Sequence, residues 1–127
     1  MPDYTVKNLK DVDDAAASFG LGDGLEARFA KKALGLSKFG VSYQKLAPGF
    51  RIPFGHTHGE QEEVYLVVRG SGRIKLDEEI VELTEWDAVR VPGDVVRALE
   101  AGTDGMEFLA IGAPLANDTE MLQGWWS

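Results

Sequence analysis

Between Glu62 and Ile111 the chain is cut into short apolar runs by turn-forming clusters, and this rhythm narrows the possible folds sharply. Glu62–Val68 reads as a strand, Gly70-Ser71-Gly72 as a turn, and Arg73–Leu76 as the return. Asp77-Glu78-Glu79 turns again, Ile80–Leu83 follows, and Asp87–Val91 runs into Pro92-Gly93-Asp94. Val95–Glu100 leads to Gly102-Thr103-Asp104-Gly105, and Met106–Ile111 is the last strong strand. Glycine supplies the backbone freedom a reversal needs, and proline removes a ladder donor, so these clusters end strands. Strands this short at near-regular spacing predict an all-β sandwich or barrel.

Upstream the pattern is looser. Residues 1–10 form an extended lead-in with Tyr4 and Val6 alternating. Asp11–Ser18 suits a helical turn capped by an acid. Phe19–Gly24 is a loop by its glycines; it lacks the lysine and the strand-to-helix context of a phosphate cradle. Leu25–Leu34 admits two readings, because Leu25, Phe29 and Ala33 recur at helical spacing while Leu25, Ala27 and Phe29 alternate. Phe39–Leu46 alternates as a strand and stops at Ala47-Pro48-Gly49.

A chain of 127 residues is most simply one domain spanning 1–127. It has no cysteine, hence no disulfide, thiolate ligand or thiol nucleophile. No run approaches the roughly 18 apolar residues of a membrane span, and no apolar leader follows Met1, so no membrane partner and a cytoplasmic location are expected. The net charge of −8 would repel a phosphate backbone, which argues against a nucleic-acid partner.

The chemistry concentrates in Phe54-Gly55-His56-Thr57-His58-Gly59-Glu60-Gln61-Glu62-Glu63-Val64-Tyr65, which holds both histidines of the chain. In a strand, alternate side chains share a face, so Phe50, Ile52, Phe54, His56 and His58 would form an apolar stripe ending in two imidazoles. Pro53 argues for an edge or a bulge there. A four-residue loop, Gly59–Glu62, would reverse the chain and set Glu63 beside His58 on a partner strand, with Tyr65 opposite His56. Two imidazoles and a carboxylate make a facial site with open positions, suited to iron, manganese or zinc. Glu60 and Glu62 read as loop charges, and no serine, threonine or lysine has a base partner for a covalent triad.

The spacing from Gly49 through His56, His58 and Glu63 to Gly70 resembles the first signature motif of the cupin superfamily, with one extra residue between Gly49 and His56. The resemblance covers about residues 36–112 and implies a jelly-roll barrel of about eight strands, with Leu25–Leu34 drawn towards a strand. It also implies that His56, His58 and Glu63 hold a metal. The family's second motif departs here. Trp86 stands at its first glycine, Pro92 matches, Gly93 comes one residue early with Asp94 in the glycine slot, Ala101 replaces the asparagine, and Arg97 replaces the fourth-ligand histidine. Arginine keeps its proton and cannot ligate a metal. Arg97 would therefore pair with Glu63 in place of the ion's charge, clamp an anionic group of a ligand, or face solvent; its shared parity with Val95 and Leu99 points inward.

Two function classes follow. One is a metal-dependent enzyme, dioxygenase-like, acting on a small anionic organic molecule bound by Arg97, Tyr65 and Tyr43. The other is a metal-free module that binds or senses a small molecule. A third, an interaction protein, has in its favour the two-sided apolar strand around Val64, Leu66 and Val68 and the aromatic tail Asn117–Ser127. These same features suggest a homodimer, with the tail as a plug or dimer contact and, as the lesser reading, a substrate lid.

Overall fold

The computed structural model describes residues 2–113 and 119–126. Asn117, Asp118 and Ser127 of the expected tail lie outside the described residues. Among the described residues eight strands carry the fold: β1 (Leu25–Phe29), β2 (Gly40–Leu46), β3 (Gly55–His58), β4 (Glu63–Leu76), β5 (Glu79–Leu83), β6 (Ala88–Val91), β7 (Arg97–Gly112) and β8 (Thr119–Leu122). All pairings are antiparallel. The expected all-β jelly roll is what forms. No helix among the described residues is long and apolar enough to cross a membrane.

Two expected hairpins are absent. Gly70-Ser71-Gly72 and Gly102–Gly105 do not reverse the chain; β4 and β7 run through them as single long strands. The two strands pair along their lengths, Glu63–Gly70 against Gly112–Met106 and Gly72–Leu76 against Ala101–Arg97, with a register shift at the glycines. There the backbones come so close that a Cβ on Gly70 would lie 2.2 Å from the Gly105 carbonyl oxygen. Glycine here bends a strand pair instead of turning one strand back. The bend carries β4 and β7 from one layer into the other. One half of the pair is flanked by β2, β1 and β6, the other by β3, β8 and β5.

The N-terminal ambiguity resolves into both readings in series. Leu25–Phe29 is strand, Gly35 at φ +72° caps the short helix α1 (Lys31–Leu34), and the chain returns as β2. The expected turn forms as a 3-10 turn at Ala16–Phe19, but its N-cap is Ala15 and not an acid; Asp14, one residue earlier, ties the turn to β1 by accepting at Oδ1 from the amides of Ala16 and Ala27 at 2.9 and 3.0 Å. Trp86, in the family's glycine slot, has φ +70°, the left-handed region that favours glycine.

Inward-facing residues build the core. Tyr65, Val67, Leu46, Phe108, Ile74, Val91, Leu99 and Met106 are each at most 2 % exposed. On the outer face of β4, Val64, Leu66 and Val68 are half-buried. The tail adds β8 to the free edge of β3. Beyond β8, Trp126 Nε1 donates to Ile52 O at 2.8 Å and its ring stacks on Arg51, while Lys75 donates to Trp125 O at 2.6 Å. The described end of the tail thus packs back on residues of this same chain.

Candidate metal centre and barrel cavity

Ile52, Phe54, His56 and His58 all line one barrel cavity, as their common parity requires, although the strand itself is only Gly55–His58. The cavity is about 500 Å³, with Glu63, Tyr65, Ser42 and Gln44 on the facing wall and Thr119 and Met121 of β8 closing one side. Its walls are mainly apolar.

Glu63 reaches the histidines differently from the expected hairpin. β3 does not pair with β4; it pairs with β7 and β8, while β4 pairs with β5, β6 and β7. The Gly59–Glu62 loop carries the chain between layers, so Glu63 meets His58 across the barrel interior and not along a ladder. The loop is pinned by Gly93, whose carbonyl accepts from His58 N and Thr57 Oγ1, each at 2.7 Å. A Cβ on Gly93 would stand 2.9 Å from Gln61 O, so the glycine that comes one residue early in the second motif is what lets this loop close.

The three groups converge. One ligand atom from each of His56, His58 and Glu63 lies within 4.8 Å of the others. Glu63 Oε1 is 3.2 Å from His58 Nε2 and 3.6 Å from His56 Nε2, and the imidazole centroids are 5.2 Å apart. The same oxygen accepts from Tyr65 OH at 2.7 Å and Arg97 Nη1 at 3.0 Å. Burial opposes ionisation of Glu63, but hydrogen bonds from His56 and Tyr65 and the charges of His56 and His58 outweigh it, holding the carboxyl at about 2. For His58, burial is the leading influence and lowers its pKa, which favours the neutral ring that ligates metals. Its Nδ1 lies 3.0 Å from Thr119 Oγ1, which can accept the Nδ1 proton of the metal-ligating tautomer, and 3.1 Å from the Gln61 side-chain amide, with Nε2 facing the centre. Tyr65 is raised well above the phenol range, chiefly by burial, so it acts as a hydrogen-bond donor and not as a base.

Arg97 is the direct cross-strand partner of His56 on β7. It is completely buried, donates Nη1 to Glu63 and Nη2 to Pro92 O, and does not line the cavity. Its Nε has no hydrogen-bond partner among the described residues. Of the three roles open to it, the ion pair with Glu63 is the one observed. Tyr43 is on the opposite face of β2 from the cavity-lining Ser42 and Gln44; its hydroxyl donates to Glu107 at 2.5 Å, and Lys10 lies over its ring.

The donor set fits a divalent ion: three atoms of the right kinds converge from rigid elements, and His58 is oriented from behind. Arg97 adds a fixed positive charge that a neutral fourth imidazole would not. Gln61, Thr119 and Gly112 were not singled out from the sequence. A Cβ on Gly112 would lie 2.6 Å from Gln61 Oε1 and 3.0 Å from Glu63 Cγ, so this glycine makes room for both. Nothing in local periodicity marks these three: Thr119 and Gly112 act on elements distant in the chain, and Gln61 reaches His58 from within the loop, which has no period.

The sign of the pH dependence follows from these groups. Glu63 and His58 both have folded pKa values below their ordinary ones, so each stabilises fully above its ordinary pKa. Without metal, stability should be level above about pH 6.5, decline as His58 is forced to protonate, and fall further from about 4.5 towards 2. The lower limb corresponds to roughly 3 kcal/mol. Urea unfolding at stepped pH checks it: Glu63→Gln should shrink the lower limb, leaving the part contributed by Asp14 and Glu100, which are also lowered, and keep the upper one.

Comparison with known proteins fits this geometry. No curated protein matches the sequence. Among solved structures, a cupin protein from Bacteroides fragilis is 26% identical with TM-score 0.73, the match covering 92% of this chain and 89% of that one. A sugar phosphate isomerase from a cupin superfamily of Silicibacter pomeroyi shares the fold at 20% identity and TM-score 0.72, covering 94% and 92%. Oxalate decarboxylase from Bacillus subtilis is 25% identical with TM-score 0.73; the match covers 93% of this chain but only 33% of that one. The cupin domain model matches residues 42–112, and the chain belongs to the cupin domain family.

Proposed function

We propose that this cupin binds a small organic molecule in its barrel cavity against a divalent ion held by His56, His58 and Glu63, and acts on it as a metal-dependent enzyme. The convergence of those three ligand atoms at the cavity wall supports this reading. An ion there, iron, manganese or zinc by donor type, would supply Lewis-acid or oxygen-activating chemistry with positions left open for reactants. The chain's own residues do the rest. Gln61 and Thr119 orient His58, Arg97 and Tyr65 fix the Glu63 carboxylate, and the phenol of Tyr65, its proton given to Glu63, presents an oxygen 3.4 Å from His56 Nε2 that can accept from a polar group of the bound molecule. Half-buried Val64, Leu66 and Val68 support a homodimer through the outer face, read out by light scattering.

A second reading rests on one observation: Arg97 already neutralises Glu63 at 3.0 Å, which suits a metal-free binding module. Metal analysis of protein purified without chelator or affinity tag separates the two. About one equivalent of iron, manganese or zinc, reduced at least tenfold in His56→Ala, is the expected result. Metal-free protein, with occupancy unchanged in the variant, would leave the binding module standing.

A further inference from the structure

We infer that the molecule this cavity takes has a mainly apolar body and a single polar end, directed at His56, His58 and Glu63. Accepting the cavity as the ligand site, as proposed above, its walls decide the chemical class. Ile52 and Phe54 line the approach to the two imidazoles. Phe19, Phe29 and Met121 line it as well, yet remain 45%, 49% and 48% exposed, with the two phenyl rings edge-to-face at 6.2 Å. Large apolar groups left half in water around a cavity gain most from a bound molecule that covers them.

Charge points the same way. A phosphate or a second carboxylate needs a cation to receive it, since an unpaired charge is costly to desolvate. Among the described residues lining the cavity, Lys31 is the one lysine or arginine. Arg97, the other basic group near the centre, is sealed behind Glu63 with two of its nitrogens already donating and none of its surface exposed. The polar groups lining the cavity gather at the centre, His56, His58, Glu63, Tyr65, Gln61 and Thr119, apart from Lys31 on α1 and from Ser42 and Gln44 of β2, where the Gln44 amide donates to the Ser42 hydroxyl at 3.0 Å. One end of the ligand therefore meets hydrogen-bonding groups, and the remainder meets hydrocarbon. Phosphorylated sugars and short dicarboxylates do not have that shape.

Titration calorimetry tests this on the whole protein, with metal content measured separately. The probes are 4-phenylbutan-2-one and 4-phenylbutyrate, which share one body, against glucose 6-phosphate and succinate. Both phenyl compounds should bind at least about tenfold more tightly than the sugar phosphate or the diacid. Phe54→Ser should weaken the phenyl compounds about tenfold with metal content unchanged, and Phe29→Ser at the exposed rim should weaken them in the same direction should the first variant not fold. Equal or tighter binding of glucose 6-phosphate or succinate, no binding of either phenyl compound, or phenyl affinity indifferent to both substitutions would overturn the inference. Metal-free protein that still prefers the phenyl compounds ends the metal reading alone. Metal-loaded protein that prefers glucose 6-phosphate ends this inference alone.

Discussion

Replacing Arg97 with methionine is expected to lower the unfolding free energy by about 3–5 kcal/mol, the range for removing one partner of a buried ion pair. The guanidinium is fully enclosed, and Glu63 is largely so, with its side chain 14% exposed. Methionine fills much of the volume but leaves the carboxylate without its fixed cation and Pro92 O with the Val95 amide as its remaining donor. The double-mutant cycle with Glu63→Gln isolates the pair. In that background the carboxylate charge is gone, so Arg97→Met should cost clearly less, by more than about 1 kcal/mol. An equal cost in both backgrounds would mean that Arg97 stabilises by packing and the Pro92 contact, not by its charge. Arg97→His makes the complementary case: it removes the competing charge, offers the fourth imidazole, and should raise metal affinity by tenfold or more, on the order of 1.4 kcal/mol.

Gly70→Ala should be nearly as damaging. Gly70 has φ +77°, which costs an alanine about 1–2 kcal/mol, and its new Cβ would lie 2.2 Å from Gly105 O. Backbone cannot step aside cheaply here, because both strands of the bend are laddered on either side of the contact. Forcing them apart adds about 1–3 kcal/mol, so the melting temperature should fall by roughly 10 °C. Gly49→Ala is the control. Gly49 has φ +72°, but a Cβ there would meet nothing within 4 Å, so it carries the conformational cost without the clash. If thermal melts show equal losses for the two variants, the close approach of β4 and β7 is not what requires Gly70.

The spacing of motif residues and the period of side chains were legible because both are local. Alternation put Ile52, Phe54, His56 and His58 on one face whether or not the backbone there was laddered, since parity survives the bend at Pro53. The same parity turned Arg97 inward and, together with the register of β7, placed it opposite His56. Gly70 and Gly105, by contrast, look like ordinary turn residues one at a time. That they bend a pair of strands depends on their facing each other, a relation between segments more than thirty residues apart.

The amino-acid sequence alone determined that the chain makes short strands around one interior and that two imidazoles and an acid belong together. Those properties follow from the side-chain period of two and from residue chemistry. Tertiary structure decided which strands meet: that Glu63 arrives across the barrel and not along a hairpin, that Gln61 and Thr119 brace His58, and that Tyr43 turns away to Glu107. It also decided that Arg97 is spent on Glu63 behind the cavity wall, because a buried guanidinium must find its acceptors among whatever the fold brings within about 3 Å.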